Sequence, residues 1–154
     1  MKLATLCYVM DKKNNTTLMI HRTKKGNDVH KGKWNGLGGK FESNESPEEC
    51  IIREINEESG LIIKSPKLHG FITFPLFDGK EDWYVFVFTA EEFAGKMKSS
   101  DEGELKWISN EKIVELNLWD GDSIFINWIK ENKFFSAKFV YSNGKLADYS
   151  VNFY

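Results

Sequence analysis

Two β-type apolar runs open the chain, LATLCYVM at 3–10 and TTLMIHR at 16–22, and the turn-rich DKKNN between them predicts a hairpin. The next stretch, 23–40, is rich in Gly and Lys without a sustained period and predicts a long loop. From 46 to 59 the punctuation is helical. Ser46 stands at the N-cap, Pro47 at the first helical position, Glu49 completes S-x-x-E, and Gly60 is the stop. Further on, 69–77, 83–93 and 105–109 read as strands, and 110–117 and 121–132 read as helices. The end of the chain, 134–154, reads as a hairpin around Asn143-Gly144. No repeat, linker or low-complexity tract interrupts this order, so 1–154 is expected to form one α/β (α+β) domain.

Composition narrows the function. The 154 residues are 41% hydrophobic, enough for a packed core. A near-neutral balance of 21 Lys+Arg against 23 Asp+Glu argues against a broad basic surface, so stable nucleic-acid binding is not expected. The first apolar run is too short to span a membrane and lacks a cleavage site. Cys7 and Cys50 belong to no paired motif, which fits a reduced, cytoplasmic setting and a monomer without disulfides. His21, His30 and His69 are isolated and are expected to be structural or exposed.

The chemistry concentrates on the helix at 46–59. At 100° per residue, Glu54, Glu57 and Glu58 fall within an arc of roughly 100°, and Ile51, Ile52 and Ile55 define a separate face. Carboxylates at such spacing repel one another, and a bound cation reverses the sign. An all-oxygen set suits Mg²⁺, or Mn²⁺ as a substitute. A solvated acidic face is the plainer reading of any Glu-rich helix, but the spacing here is restrictive. Gly39, Glu45, Arg53-Glu54-Ile55, Glu57-Glu58 and Gly60-Leu61 fix seven letters and two aliphatic positions, with a chance match on the order of 10⁻⁷.

That spacing resembles the box of the Nudix hydrolases, G-x5-E-x7-R-E-U-x-E-E-x-G-U with U aliphatic, at every position. The resemblance implies a Nudix fold, a mixed sheet sandwiched between helices, and hydrolysis of a small-molecule nucleotide. It implies metal ligation by Glu54, Glu57, Glu58 and the carbonyl of Gly38, with Arg53 bracing the carboxylates through Glu45 and Gly39 permitting the turn. Glu58 is the first candidate general base and Glu102, in KSSDEGELKW, the second, with Glu102 also a metal-ligand candidate. GKWNGLGGK, SSDEGELKWI, LWDGDS and KLADYSV look like the MutT-related members that hydrolyse oxidised purine nucleoside triphosphates. That likeness favours 8-oxo-dGTP going to 8-oxo-dGMP and pyrophosphate, which would sanitise the nucleotide pool.

The same likeness places Asn35, Trp119 and Asp122 around the base. An aromatic plane and a carboxylate facing two N–H donors are what a guanine-like edge needs. Phe74 and Trp83 are candidates to complete the wall, with ordinary core packing as the plainer reading, Thr5, Leu37 and Gly39 to line it, Lys25 to sit at its mouth, and Lys40, beside the metal loop, to steer a triphosphate. The related animal enzymes carry two adjacent aspartates two residues after the pocket Trp, whereas this chain has Gly121-Asp122. Asp120 would take the missing role only with a shifted backbone. Another nucleoside triphosphate, a dinucleotide polyphosphate or a capped RNA end is the rival substrate, and a non-catalytic nucleotide sensor the rival class.

Overall fold

The computed structural model describes residues 1–23 and 30–154. In chain order the strands are β1 (Lys2–Asp11), β2 (Thr16–Arg22), β3 (Trp34–Asn35), β4 (Ile62–Lys64) and β5 (Lys67–Phe74). They continue with β6 (Trp83–Ala90), β7 (Glu92–Ala94), β8 (Gly103–Ser109), β9 (Phe135–Ser142) and β10 (Lys145–Phe153). Two α-helices, α1 (Pro47–Ser59) and α2 (Asp122–Lys130), and a 3₁₀ helix at Asn110–Glu115 complete the fold. Eight strands form one mixed sheet in the order β10-β9-β5-β6-β1-β2-β3, with β8 on the other edge of β2. The β1–β6 and β5–β9 pairs are parallel and the remaining pairs antiparallel.

Strand alternation directs the core to both faces. Cys7 and Val9 of β1 point with Leu18, Ile20 and Phe88 toward Ile51 and Ile55 of α1. Tyr8, Met19, Ile72 and Val87 point the other way, toward Phe125, Ile126 and Ile129 of α2. The sheet is thus sandwiched between helices, the mixed α+β arrangement of the Nudix fold. α1 forms where its punctuation places it: Ser46 Oγ accepts the Glu49 N–H, Glu49 Oε1 accepts the Ser46 N–H, and Gly60 closes the helix at φ 82°.

Several boundaries differ from the sequence expectation, each for a tertiary reason. The run at 83–93 breaks after Ala90, because Glu92–Ala94 pairs with β4 in a separate two-stranded sheet. The run at 69–77 leaves the sheet after Phe74, and Asp78 and Asp82 fix the turn by accepting the N–H groups of Lys80, Glu81 and Leu76. In the segment 110–117, Asn110–Glu115 is a 3₁₀ helix in place of an α-helix. Most consequential for the site, the stretch 34–40 of the expected loop is a wedge between β1 and β2. Trp34–Asn35 pairs with β2, while Cys7 exchanges hydrogen bonds with Leu37 (2.7 and 3.0 Å) and the Thr5 N–H donates to Gly39 O (2.8 Å). Only glycine permits this approach at 38, since a Cβ there would lie 2.0 Å from Thr5 O.

Candidate active site

The wedge brings Gly38 and Gly39 against α1, and this sets the positions of its carboxylates. Arg53 is the hub. Its Nε and Nη2 donate to Glu45, Nη1 donates to Glu54 (2.8 Å) and Glu57 (3.1 Å), and Nη2 reaches Lys40 O (3.0 Å). The guanidinium, helped by the Glu42 N–H, holds the Glu45 carboxyl down at about 2. Glu58 lies deeper, 7% exposed. Its Oε1 accepts the Gly38 N–H at 3.2 Å, and its Oε2 is buried without a hydrogen-bond partner. Burial pushes the Glu58 pKa up to about 8 against the pull of Arg22, and burial also raises Glu54. Glu102 raises both of these carboxyls, so it shares their field, and its Oε2 accepts from Arg22 Nη1. Glu57 faces outward, its side chain 56% exposed.

Among the described residues no three metal-ligating groups converge on one point. Glu54 and Glu57 rest on Arg53, and Glu102 rests on Arg22. The donors nevertheless fit a hard divalent cation: the set is all oxygen, and one buried carboxylate oxygen, Glu58 Oε2, is orphaned. At position 39 a Cβ would stand 2.4 Å from the Glu54 carboxylate. Two glycine substitutions therefore separate fold from site. Gly38→Ala drives a Cβ into backbone and is expected to cost about 3 kcal/mol of stability. Gly39→Ala meets only the flexible end of Glu54, so thermal melting should barely change while turnover falls by about tenfold or more.

A cavity of about 770 Å³ runs from these acids to an aromatic slot. Its lining includes Gly38, Gly39, Lys40, Glu54 and Glu102 beside the carboxylates and Asn35, Phe74, Trp119 and Asp122 in the slot, with Thr5 and Trp83, the latter under Lys40, also in its wall. Trp119 is fixed edge-on by Phe77 (4.9 Å) and Tyr141 (5.5 Å), and its Nε1 donates to His30 Nδ1 (2.9 Å). Lys33 covers its ring at 4.9 Å. Asp122 opens α2 and is 7% exposed; burial raises its pKa to about 8 against the opposing charge of Lys33. Asn35 Nδ2 is a buried donor without a partner. Lys40 lies over Trp83 at 5.6 Å, and Trp83 Nε1 donates to Asp78 (3.1 Å). The Thr5 hydroxyl is engaged by Gly39 O (3.3 Å) and Cys50 Sγ (3.4 Å).

Two expected lining residues lie elsewhere. Leu37 is fully buried in the core beneath α1, because the wedge turns its side chain away from the cavity. Asp120 is exposed and accepts the Leu146 N–H at 2.9 Å, a brace on β10. Lys25 lies outside the described residues. Sequence reasoning in turn missed Arg22, His30, Phe77, Asp78 and Tyr141, all of which line the cavity. His30 had no signal as an isolated histidine, and Phe77 was read as strand.

The buried acids give the metal-free protein a pH signature. The folded state keeps protons on Glu58 and Asp122 up to about pH 8, whereas the unfolded chain loses them near ordinary carboxyl values. Stability from these groups is full at low pH and is lost as pH rises toward 8. Buried His69, lowered to about 4, acts oppositely but only below its ordinary 6.5. Melting temperature in chelator should therefore fall by several degrees between pH 6.5 and 8; a flat or rising curve would refute the protonated acids.

A mixed sheet between helices, with an acidic helix facing one end of a nucleotide-sized cavity, defines a Nudix-type hydrolase. The model for the NUDIX domain matches residues 1–129, and the chain belongs to the Nudix family. Within the family it is of MutT type. The crystal structure of a MutT protein from Bacillus halodurans superposes with a TM-score of 0.84 at 31% identity, over 99% of this chain and 98% of that one. A Danio rerio protein named oxidized purine nucleoside triphosphate hydrolase is 33% identical over 108 residues, 70% of this chain and 69% of the relative. A Bacillus subtilis Nudix hydrolase is 35% identical over 107 residues, 67% of this chain and 68% of its own length. No helix among the described residues is long and apolar enough to cross a membrane.

Proposed function

We propose that the protein hydrolyses oxidised purine nucleoside triphosphates, foremost 8-oxo-dGTP, to the monophosphate and pyrophosphate. The observation that carries this reading is a single cavity with acids at one end and Trp119 with a buried Asp122 at the other. The name of the zebrafish relative supports the substrate class.

Nudix hydrolases generally use divalent metal ions such as Mg²⁺. Glu54, Glu57, Glu58 and Glu102, with the Gly38 carbonyl, would hold the ion, and when bound it supplies charge neutralisation and Lewis acidity at the phosphates. The chain's own residues do the rest. Arg53 and Glu45 hold the helix carboxylates in register, and Lys40 lies at the acidic end for phosphate charge. Glu58 is the first candidate to take the proton of the attacking water, its own proton, which burial holds in the metal-free protein, being released when the cation binds, and Glu102 is the second candidate. Trp119 offers the stacking plane, and Asp122, protonated by burial in the free protein and ionised against two facing N–H donors, accepts from the guanine-type N1–H and exocyclic amine. The orphaned Asn35 Nδ2 donates to an oxygen of the base.

Product analysis tests the bond cleaved. With Mg²⁺, 8-oxo-dGTP should give 8-oxo-dGMP and pyrophosphate in equal amounts, and a chelator should abolish turnover until Mg²⁺ is restored. Orthophosphate in place of pyrophosphate would overturn the proposed cleavage.

A further inference from the structure

Position 121, beside the base-facing Asp122, has no room for a side chain. A Cβ there would lie 2.7 and 2.9 Å from Phe139 ring carbons and 2.9 Å from Tyr141 Oη. The polar group that fills this ground comes from a distant strand: Tyr141 of β9, whose hydroxyl accepts the Gly121 N–H at 2.7 Å. Its ring is held edge-on by Trp119 (5.5 Å) and Phe77 (5.3 Å), so the phenol is fixed in the aromatic wall of the cavity. A phenol oxygen has two good in-plane sites, one for its hydrogen and one for a lone pair, because the second lone pair is conjugated with the ring. The in-plane lone pair takes the Gly121 N–H, which leaves the other in-plane site to the hydrogen.

We infer that Tyr141 is a specificity-determining residue that donates its hydroxyl hydrogen to the 6-carbonyl of a bound oxopurine. The inference rests on the proposed purine reading of the cavity. Asp122 directly follows the Gly121 that this hydroxyl holds, and Asp122 and Tyr141 both line the cavity, so on this inference the slot presents acceptor, acceptor and donor in series. That series complements the exocyclic amine, N1–H and 6-carbonyl of a guanine-type edge. A 6-aminopurine turns N–H toward the phenol hydrogen, leaving two desolvated donors face to face. Because a side chain does not fit at Gly121, position 121 supplies no second side-chain acceptor with which to welcome the 6-amino edge.

The test is Tyr141→Phe, which keeps the ring and removes only the hydroxyl, assayed with 8-oxo-dGTP and 8-oxo-dATP alongside wild type. The expected result is about a tenfold loss in kcat/KM for 8-oxo-dGTP with no loss for 8-oxo-dATP. Titration of 8-oxo-dGMP and 8-oxo-dAMP into metal-free protein by calorimetry should show the same asymmetry. The hydroxyl also satisfies the Gly121 N–H, but any damage through that bond would lower both substrates equally. An equal loss, or no change with either substrate, overturns the role of Tyr141 while the proposed function stands. A wild-type protein that neither hydrolyses nor binds oxidised purine nucleotides overturns both.

Discussion

Glu58→Gln is expected to lower kcat for nucleotide hydrolysis by about a thousandfold while raising the melting temperature of the metal-free protein at pH 8. Both effects follow from the same burial. The amide oxygen can still accept the Gly38 N–H, as Glu58 Oε1 does at 3.2 Å, so local geometry survives. It cannot take a proton from water, and it carries no charge to repel Glu54 and Glu102. A group whose carboxyl is pushed up to about 8 stores unfavourable free energy in the metal-free state above that pH, and the neutral amide releases it. The pairing of lost activity with gained stability separates a functional acid from a structural one, whose removal lowers both. Unchanged turnover would instead remove Glu58 from the role of base, and a wild-type protein that binds nucleotide without turnover would revive a sensor that merely retains the fold.

Asp122→Asn should cost about a hundredfold in kcat/KM for 8-oxo-dGTP and erode the preference for guanine-type over adenine-type bases. On the proposed function its carboxylate accepts two hydrogen bonds from one purine edge in a nearly dry setting, with 7% of the residue exposed. An amide puts a donor where one of those hydrogens arrives, leaving an unmatched buried pair. Because Asp122 begins α2, with Phe125, Ile126 and Ile129 packed behind it, its position is fixed by the core beneath the sheet. The loss should therefore show in substrate selectivity, with circular dichroism unchanged.

The acidic helix was legible in sequence because its determinants are local. Its cap, its stop and the spacing of its acids all lie within one helix and the residues flanking it, and α1 forms where they place it. The proposed base end was legible only through likeness to relatives, since Asn35 and the Trp119–Asp122 turn are far apart in the chain. What stayed hidden is what non-local packing decides. The wedge at 34–40 exists because β1 and β2 diverge, and nothing in a Gly-rich stretch announces a gap elsewhere in the sheet. That same divergence turns Leu37 into the core and its neighbours Gly38 and Gly39 toward the acids. Tyr141 reads as an ordinary strand residue, and only the placement of β9 beside β5 brings its hydroxyl to Gly121. Asp120 shows the converse: its sequence position beside Trp119 suggested the pocket, yet the backbone turns its carboxylate out to Leu146.

On the proposed function, one cavity couples acid-end hydrolysis to recognition of an oxidised purine. The most direct measurement of that coupling is kcat/KM with Mg²⁺ for 8-oxo-dGTP against dGTP, two substrates that differ only at the imidazole side of the base. The orphaned Asn35 donor and the Trp119 plane lead to an expected preference of about tenfold or more for 8-oxo-dGTP. Equal values for the two nucleotides would contradict the account while leaving the chain a Nudix hydrolase of another substrate.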